Sequence, residues 1–295
     1  MADAKIREFI QNGSLDAIKE AVKIGVNLNT LEETMQDNYL HLACYFDKTG
    51  KIVEYLLEKA VNPNQQNKGG VVPLIYAVLH NTAAVVQIVA THKTTNPDLV
   101  DLSKKNAMMH AVENGYLDKV NALLKRRGIN LEIPNIDGET PLQKAVESGQ
   151  FDIVGRLLKK GAKSNIQNIH TGNSLVHTAV IKQDLKTFDH LLSWKAPTDL
   201  QNHEKNTALH IAASHGDTHL EFTKKLAKKS YANVKQQGKD GHTPLHLAIH
   251  APACEKTIKE LLYYNKDAKQ VTNHQGKTAK VIATELGRLD LLKLL

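Results

Sequence analysis

Aromatic residues are scarce in this chain of 295 residues, at 5% with a single Trp, which argues against one large core built on ring packing. Cysteine is scarcer still. Cys44 and Cys254 fall far short of a disulfide framework and sit six repeats apart, too far to pair in one chain. No apolar run approaches the roughly 18 residues that a spanning helix needs. Met1 to Ile10 carries Asp3, Lys5, Arg7 and Glu8 where a signal peptide would be apolar. Membrane insertion is therefore not expected, and the cytoplasm is the default location. Neither sign of charge dominates: 38 Lys and Arg against 31 Asp and Glu give +7, which permits acidic partners or nucleic acid without demanding either. With 41% hydrophobic and 23% charged residues the chain has the composition of a folded protein.

Catalytic and metal signatures are missing too. There is no Gly-x-Ser-x-Gly, no His-Glu-x-x-His and no Cys-x-x-Cys. Gly276-Lys277-Thr278 has the end of a phosphate-binding loop, but the Gly required five residues earlier is Val271. No cofactor, metal site or enzymatic activity is expected within these residues.

What is present is repetition. Asp137-Gly138-Glu139-Thr140-Pro141-Leu142-Gln143-Lys144-Ala145 returns as Asp240-Gly241-His242-Thr243-Pro244-Leu245-His246-Leu247-Ala248. The Ala anchor recurs at Ala43, Ala77, Ala111, Ala145, Ala179, Ala212, Ala248 and Ala283, in steps of 33 to 36 residues. One further step back reaches Phe9, followed by Gly13 as Ala145 is followed by Gly149, so nine units are expected.

The residue types explain themselves. Thr140 and Thr243 suit an N-cap, and Pro141 and Pro244 the first helical position, where a missing N–H costs nothing. Gly149 can end the helix in the left-handed region. Ile153, Val154, Leu157 and Leu158 then carry the face of a second helix. Gly70, Gly138, Gly172, Gly241 and Gly276 mark turns between units. Asn81, Gln183 and Pro252 replace the stop glycine; Asn81 is expected to turn left-handed, and the turns at Gln183 and Pro252 to be irregular. Extra residues around Ser230 to Gln237 lengthen the sixth unit.

This pattern resembles the ankyrin repeat, with its period near 33 and Thr-Pro-Leu-His-x-Ala signature, over essentially the whole chain. The resemblance implies an all-α solenoid of stacked antiparallel helix pairs with projecting β-hairpin finger loops. It implies a single domain, 1–295, made of a capping unit (1–34), seven internal repeats (35–269) and a last unit (270–295) that stops short of the pattern. It also implies that the His two residues before the anchor (His41, His177, His210, His246) bonds within and between units, a bond lost at Ile75, Met109, Gln143 and Val281.

By the same resemblance the chain is a non-enzymatic scaffold that binds a protein or peptide in a concave groove. The two positions that follow the residue after each anchor Ala are the usual contacts: Tyr45-Phe46, Leu79-His80, Glu113-Asn114, Glu147-Ser148, Ile181-Lys182, Ser214-His215, His250-Ala251 and Glu285-Leu286. Tyr45, Phe46 and Leu79 offer apolar anchors. Asp137, Glu139, Glu147 and Glu113 make the middle acidic, suited to a basic segment. Lys182, His215 and His250 complete the expected contact set. The Tyr45-Phe46 pair is equally compatible with local packing against Asp47 to Gly50. The histidines of the finger loops (His170, His203, His274) read as a solvated edge. Lys224, Lys225, Lys228 and Lys229, with Arg126, Arg127, Arg156, Lys159, Lys160 and Lys163, read as a solubilising outer face, with nucleic acid ranked well below it for want of interleaved aromatics. An alternative is the recognition arm of a longer multidomain protein, similar to effectors that bacteria deliver into the host cytosol.

Overall fold

The computed structural model describes the backbone from Ala2 to Leu295, with the side chains of residues 5–230 and 233–295. The chain folds as two compact units, Met1–Ala162 and Lys163–Leu295. In the first, ten helices alternate between short first helices and outer second helices: α1 (Ala2–Gln11), α2 (Leu15–Lys23), α3 (Tyr39–Phe46), α4 (Lys51–Glu58), α5 (Pro73–His80), α6 (Ala83–Thr91), α7 (Ala107–Glu113), α8 (Leu117–Leu123), α9 (Pro141–Glu147) and α10 (Phe151–Lys159). The second holds α11 (Leu175–Ile181), α12 (Leu185–Ser193), α13 (Ala208–Ser214), α14 (Leu220–Lys229), α15 (Pro244–Ala248), α16 (Glu255–Tyr264) and α17 (Ala279–Glu285), closed by a 3-10 turn at Leu289–Leu291.

First helices stack on first helices, α3 on α5 on α7 on α9 and α11 on α13 on α15 on α17, while α4, α6, α8 and α10 stack behind. Small residues allow this closeness: Ala43, Ala77, Ala111, Ala145, Ala179, Ala212, Ala248 and Ala283 are all buried. Ile153, Val154, Leu157 and Leu158 of α10 are buried too, with a polar outer face. Each unit thus has a thin layered core.

Capping sets the helix starts. The Thr140 hydroxyl accepts from Gln143 N at 3.3 Å while the Gln143 side chain accepts from Thr140 N at 2.9 Å, a reciprocal box with Pro141 at the first turn. Ser174, Thr207 and Thr243 form the same box with His177, His210 and His246. Asn38 does so with His41.

The stops hold two surprises. Gln183 takes the left-handed turn that Gly149 takes elsewhere (φ 56 against 66), with the same bonds back to the helix end, so this turn is regular and merely strained. Asn81 is not left-handed: at φ -122 and ψ -175 it is extended, and its amide donates to the carbonyls of Cys44 and Asp47 at 2.9 and 3.1 Å. Its side chain replaces a turn with a cross-repeat tie. The Pro252 region is irregular as expected, with α15 shortened to five residues. The long sixth unit is absorbed by 3-10 turns at Gly216–His219 and Tyr231–Val234; the side chains of Tyr231 and Ala232 lie outside the described ones.

The finger loops hold their hairpin shape with little strand pairing. Among the described residues two isolated bridges occur, Gln167 with Ser174 and Thr272 with Thr278. An Asx turn does the work instead: the Asn135 side-chain oxygen accepts from Asp137 N and Glu139 N at 3.0 and 2.9 Å, and Asn67, Asp101, Asn202 and Asn273 repeat the pattern. The left-handed position that follows is Gly138 or Gly172 in some loops and Lys104 or Lys205 in others.

Candidate partner-binding surfaces

In the first unit, α3 and α5 lie side by side and end on the same edge. The Tyr45 ring meets Phe46 at 4.7 Å and His80 at 4.6 Å between centroids, and Tyr76 continues the row at 5.8 Å from His80. Tyr45 and Phe46 remain 41% and 37% exposed, so local packing covers only part of each ring. Leu79 beside them is half-buried.

The unpaired carbonyls at the ends of these helices are satisfied from the side. Lys48 Nζ donates to Tyr45 O at 2.9 Å and to His80 O at 2.6 Å. Lys119 Nζ donates to Val78 O at 2.6 Å and lies 4.0 Å from the centre of the Tyr116 ring. Cations at helix C-termini are favourable on both hydrogen-bonding and dipole grounds. Burial, reinforced by these two ammonium groups, lowers the His80 pKa from the usual imidazole value. Tyr76 donates to Asp37 at 3.0 Å, and burial next to that carboxylate pushes its hydroxyl up to about 12. The aromatic row thus sits on helix ends whose carbonyls are hydrogen-bonded.

The expected acidic middle is less acidic than its sequence. Glu113 pairs with Lys105 at 2.7 Å, and Lys144 sits between Glu139 at 3.5 Å and Glu147 at 3.4 Å. Asp137 is exposed at its loop tip, and the Asn114 amide is turned back onto His110 O at 2.8 Å. Glu113, Glu139 and Glu147 are thus engaged by Lys105 and Lys144, whereas the helix ends under the aromatic row are engaged by Lys48.

In the second unit the finger loops and first helices enclose a groove of about 660 Å³. Its lining joins His170, His203 and Glu204 of the loops to Ile181, Ile211 and His215 of α11 and α13 and Leu247 of α15. Lys182, exposed, follows Ile181; His250 is exposed outside this lining. Two loop histidines are more than a solvated edge. A Cβ on Gly172 would come within 2.5 Å of His203, and one on Gly241 within 2.5 Å of His274, so each ring packs on the glycine of the preceding loop.

Beneath the loops runs a ladder of buried imidazoles. His177 Nε2 meets Asn206 O at 2.9 Å, His210 Nε2 meets His242 O at 3.1 Å and His246 Nε2 meets Lys277 O at 3.0 Å; His41 does the same with Val71 O at 3.0 Å in the first unit. The expected bonds within and between repeats are all made. Burial depresses the pKa of each, that of His210 to about 4.

Lys48, Lys119 and the Asn and Asp residues of the loops escaped the sequence reading, yet the loop residues carry a signal: Asn67, Asp101 and Asn135 recur at 34-residue steps.

A family model described as ankyrin repeats matches three times, over residues 8–101, 74–168 and 176–272. The chain belongs to the ankyrin-repeat family. The ankyrin-repeat domain of Bcl-3, described as a unique member of the IkappaB protein family, has a similar fold: TM-score 0.66 and 24% identity, over 78% of this chain and 98% of that one. The ankyrin repeat protein nuc-2 of Neurospora crassa is 27% identical over 130 residues, which is 43% of this chain and 12% of nuc-2. Ankyrin repeats generally serve as protein-protein interaction modules, and no helix among the described residues is long and apolar enough to cross a membrane.

Proposed function

We propose that this ankyrin-repeat chain is a non-enzymatic scaffold, and that its principal contact with a partner protein is the edge formed by Tyr45, Phe46, Leu79 and His80. One observation carries the reading: two large aromatic rings stay over a third exposed on helix ends whose own polar groups are already satisfied by Lys48 and Asn81. Exposed rigid aromatics flanked by satisfied backbone are the composition of an interface anchor. A basic segment of the partner would extend from there toward Asp137, Glu139, Glu147, Glu113 and Asn114, competing with Lys105 and Lys144. Lys182, His215 and His250 supply contacts of different chemistry in the second unit. The two free, buried cysteines fit a reducing compartment, and the reading places the chain in the cytoplasm.

A second reading is that these repeats are the recognition arm of a larger protein, as the chain spans only 12% of nuc-2. Crosslinking followed by partner capture tests the principal reading. Tyr45→Ala with Phe46→Ala is expected to reduce capture at least about tenfold while leaving the melting temperature unchanged. Undiminished capture by the double variant removes the assignment.

A further inference from the structure

The two units differ sharply in charge. Residues 1–162 hold 19 Lys and Arg and 19 Asp and Glu; residues 163–295 hold 19 and 12, so the whole net charge of +7 belongs to the second unit, together with 11 of the 15 histidines. On the outer helices much of this charge is engaged: Lys224 pairs with Glu221 at 2.9 Å and Lys225 with Asp189 at 2.6 Å, and Lys229 donates to Leu192 O at 3.2 Å. Two lysines beside the groove are not. Lys182 and Lys205 are exposed and in no ion pair among the described residues, Lys205 being held at a loop tip by its left-handed backbone (φ 60).

Between them lies the groove, with Ile181, 46% exposed, Ile211 and Leu247 as an apolar floor and His170, His203 and His215 as a rim. The hydrogen bonds of the rim fix its chemistry. His203 Nδ1 faces the His170 carbonyl at 3.1 Å and His215 Nδ1 faces the Ile211 carbonyl at 2.8 Å, so Nδ1 carries the proton in both and Nε2 is left as the outward atom. Glu204 is the carboxylate of the lining and accepts from the Asn206 amide at 3.4 Å, while Lys182 and Lys205 are next in sequence to the lining residues Ile181 and Glu204.

We propose that this groove binds a carboxylate-rich peptide segment that seats one large apolar side chain on Ile181, Ile211 and Leu247. Opposite charge supplies the preference, with Lys182 and Lys205 exposed beside the lining. The inference rests on the reading of the chain as an interaction module, and it names the partner chemistry for the second unit.

The test uses the full chain and a fluorescent peptide of about twelve residues, one Leu flanked by Glu, against counterparts with Gln for Glu or Ala for Leu. The Glu peptide is expected to bind at low salt, and both counterparts to bind about tenfold more weakly. Ile181→Glu, an exposed site, should abolish binding, and Lys182→Glu with Lys205→Glu should weaken it about tenfold, each with an unchanged circular dichroism spectrum. Equal affinity for the Gln peptide, absence of binding by any peptide, or undiminished binding by Ile181→Glu overturns the proposal. So does displacement of the Glu peptide by single-stranded RNA or anionic vesicles at matched charge, which would mark a general polyanion surface. Tyr45→Ala should leave peptide binding intact; loss of peptide binding alone sinks the groove assignment, whereas undiminished partner capture by Tyr45→Ala with Phe46→Ala sinks only the principal reading.

Discussion

The same helix pair is locked to its neighbour in two different ways in the two units. Between Met1 and Ala162 the third position of the first helices reads His41, Ile75, Met109 and Gln143, all buried; between Lys163 and Leu295 it reads His177, His210, His246 and Val281. The first unit fills the slot mainly with side chains that do not titrate. The second uses imidazoles that must stay neutral to sit between a helix cap and the next loop's carbonyl. Equivalent geometry therefore carries unequal sensitivity to protons.

Acid is the strongest way to probe that difference. The folded state holds the protons of His177, His210 and His246 less tightly than the unfolded chain does, because burial disfavours their charged form. The unfolded state then binds more protons, so stability is complete above about pH 6.5 and is lost progressively as the pH falls toward the folded value of about 4 for His210. Hydrogen exchange at about pH 5 should show α13 and α15 opening more readily than at about pH 7, with α5 and α7 barely changed. Uniform acid sensitivity across both units would break the comparison.

A single substitution comes next. His210→Ala removes both ring bonds and strands the His242 carbonyl and the Thr207 cap, and should cost about 2–3 kcal/mol in denaturant unfolding. Its counterpart Gln143→Leu in the first unit loses only a cap bond, at about 1 kcal/mol. Smaller still is Gln183→Gly, which relieves a left-handed non-glycine residue and should raise stability by about 1 kcal/mol, whereas Gly149→Ala should lower it by a like amount. Smallest is Lys225→Gln: its partner Asp189 is exposed, and a shift below about 0.5 kcal/mol in melting experiments would confirm that outer-face charge has little structural role.

Much of this was legible in the sequence because the repeat states its own grammar. Thr140, Pro141, Ala145 and Gly149 each act through local backbone chemistry, and the His slot was marked by its recurrence. What was not legible is where a residue outside the pattern finds its partner. Asn81 was read as a turn residue because Asn tolerates positive φ, but the carbonyls of Cys44 and Asp47 offered its amide two bonds and drew the backbone straight. Glu139 and Glu147 looked like free acids until the fold brought Lys144 between them. The aromatic row needed α3 and α5 side by side, since Tyr45 and His80 are 35 residues apart.

The Asx-held finger loops have a consequence for how such a molecule changes over time. The conformation of each loop is written by one inward Asn or Asp and one left-handed residue, so that Ile136 and Asp137, or Leu102 and Ser103, can be exchanged at the tip without rewriting the turn. Folding instructions and recognition letters occupy alternate positions of the same short loop. A lineage can therefore drift to a new partner by tip replacements alone, and an engineer can graft new tips onto these loops with the scaffold untouched.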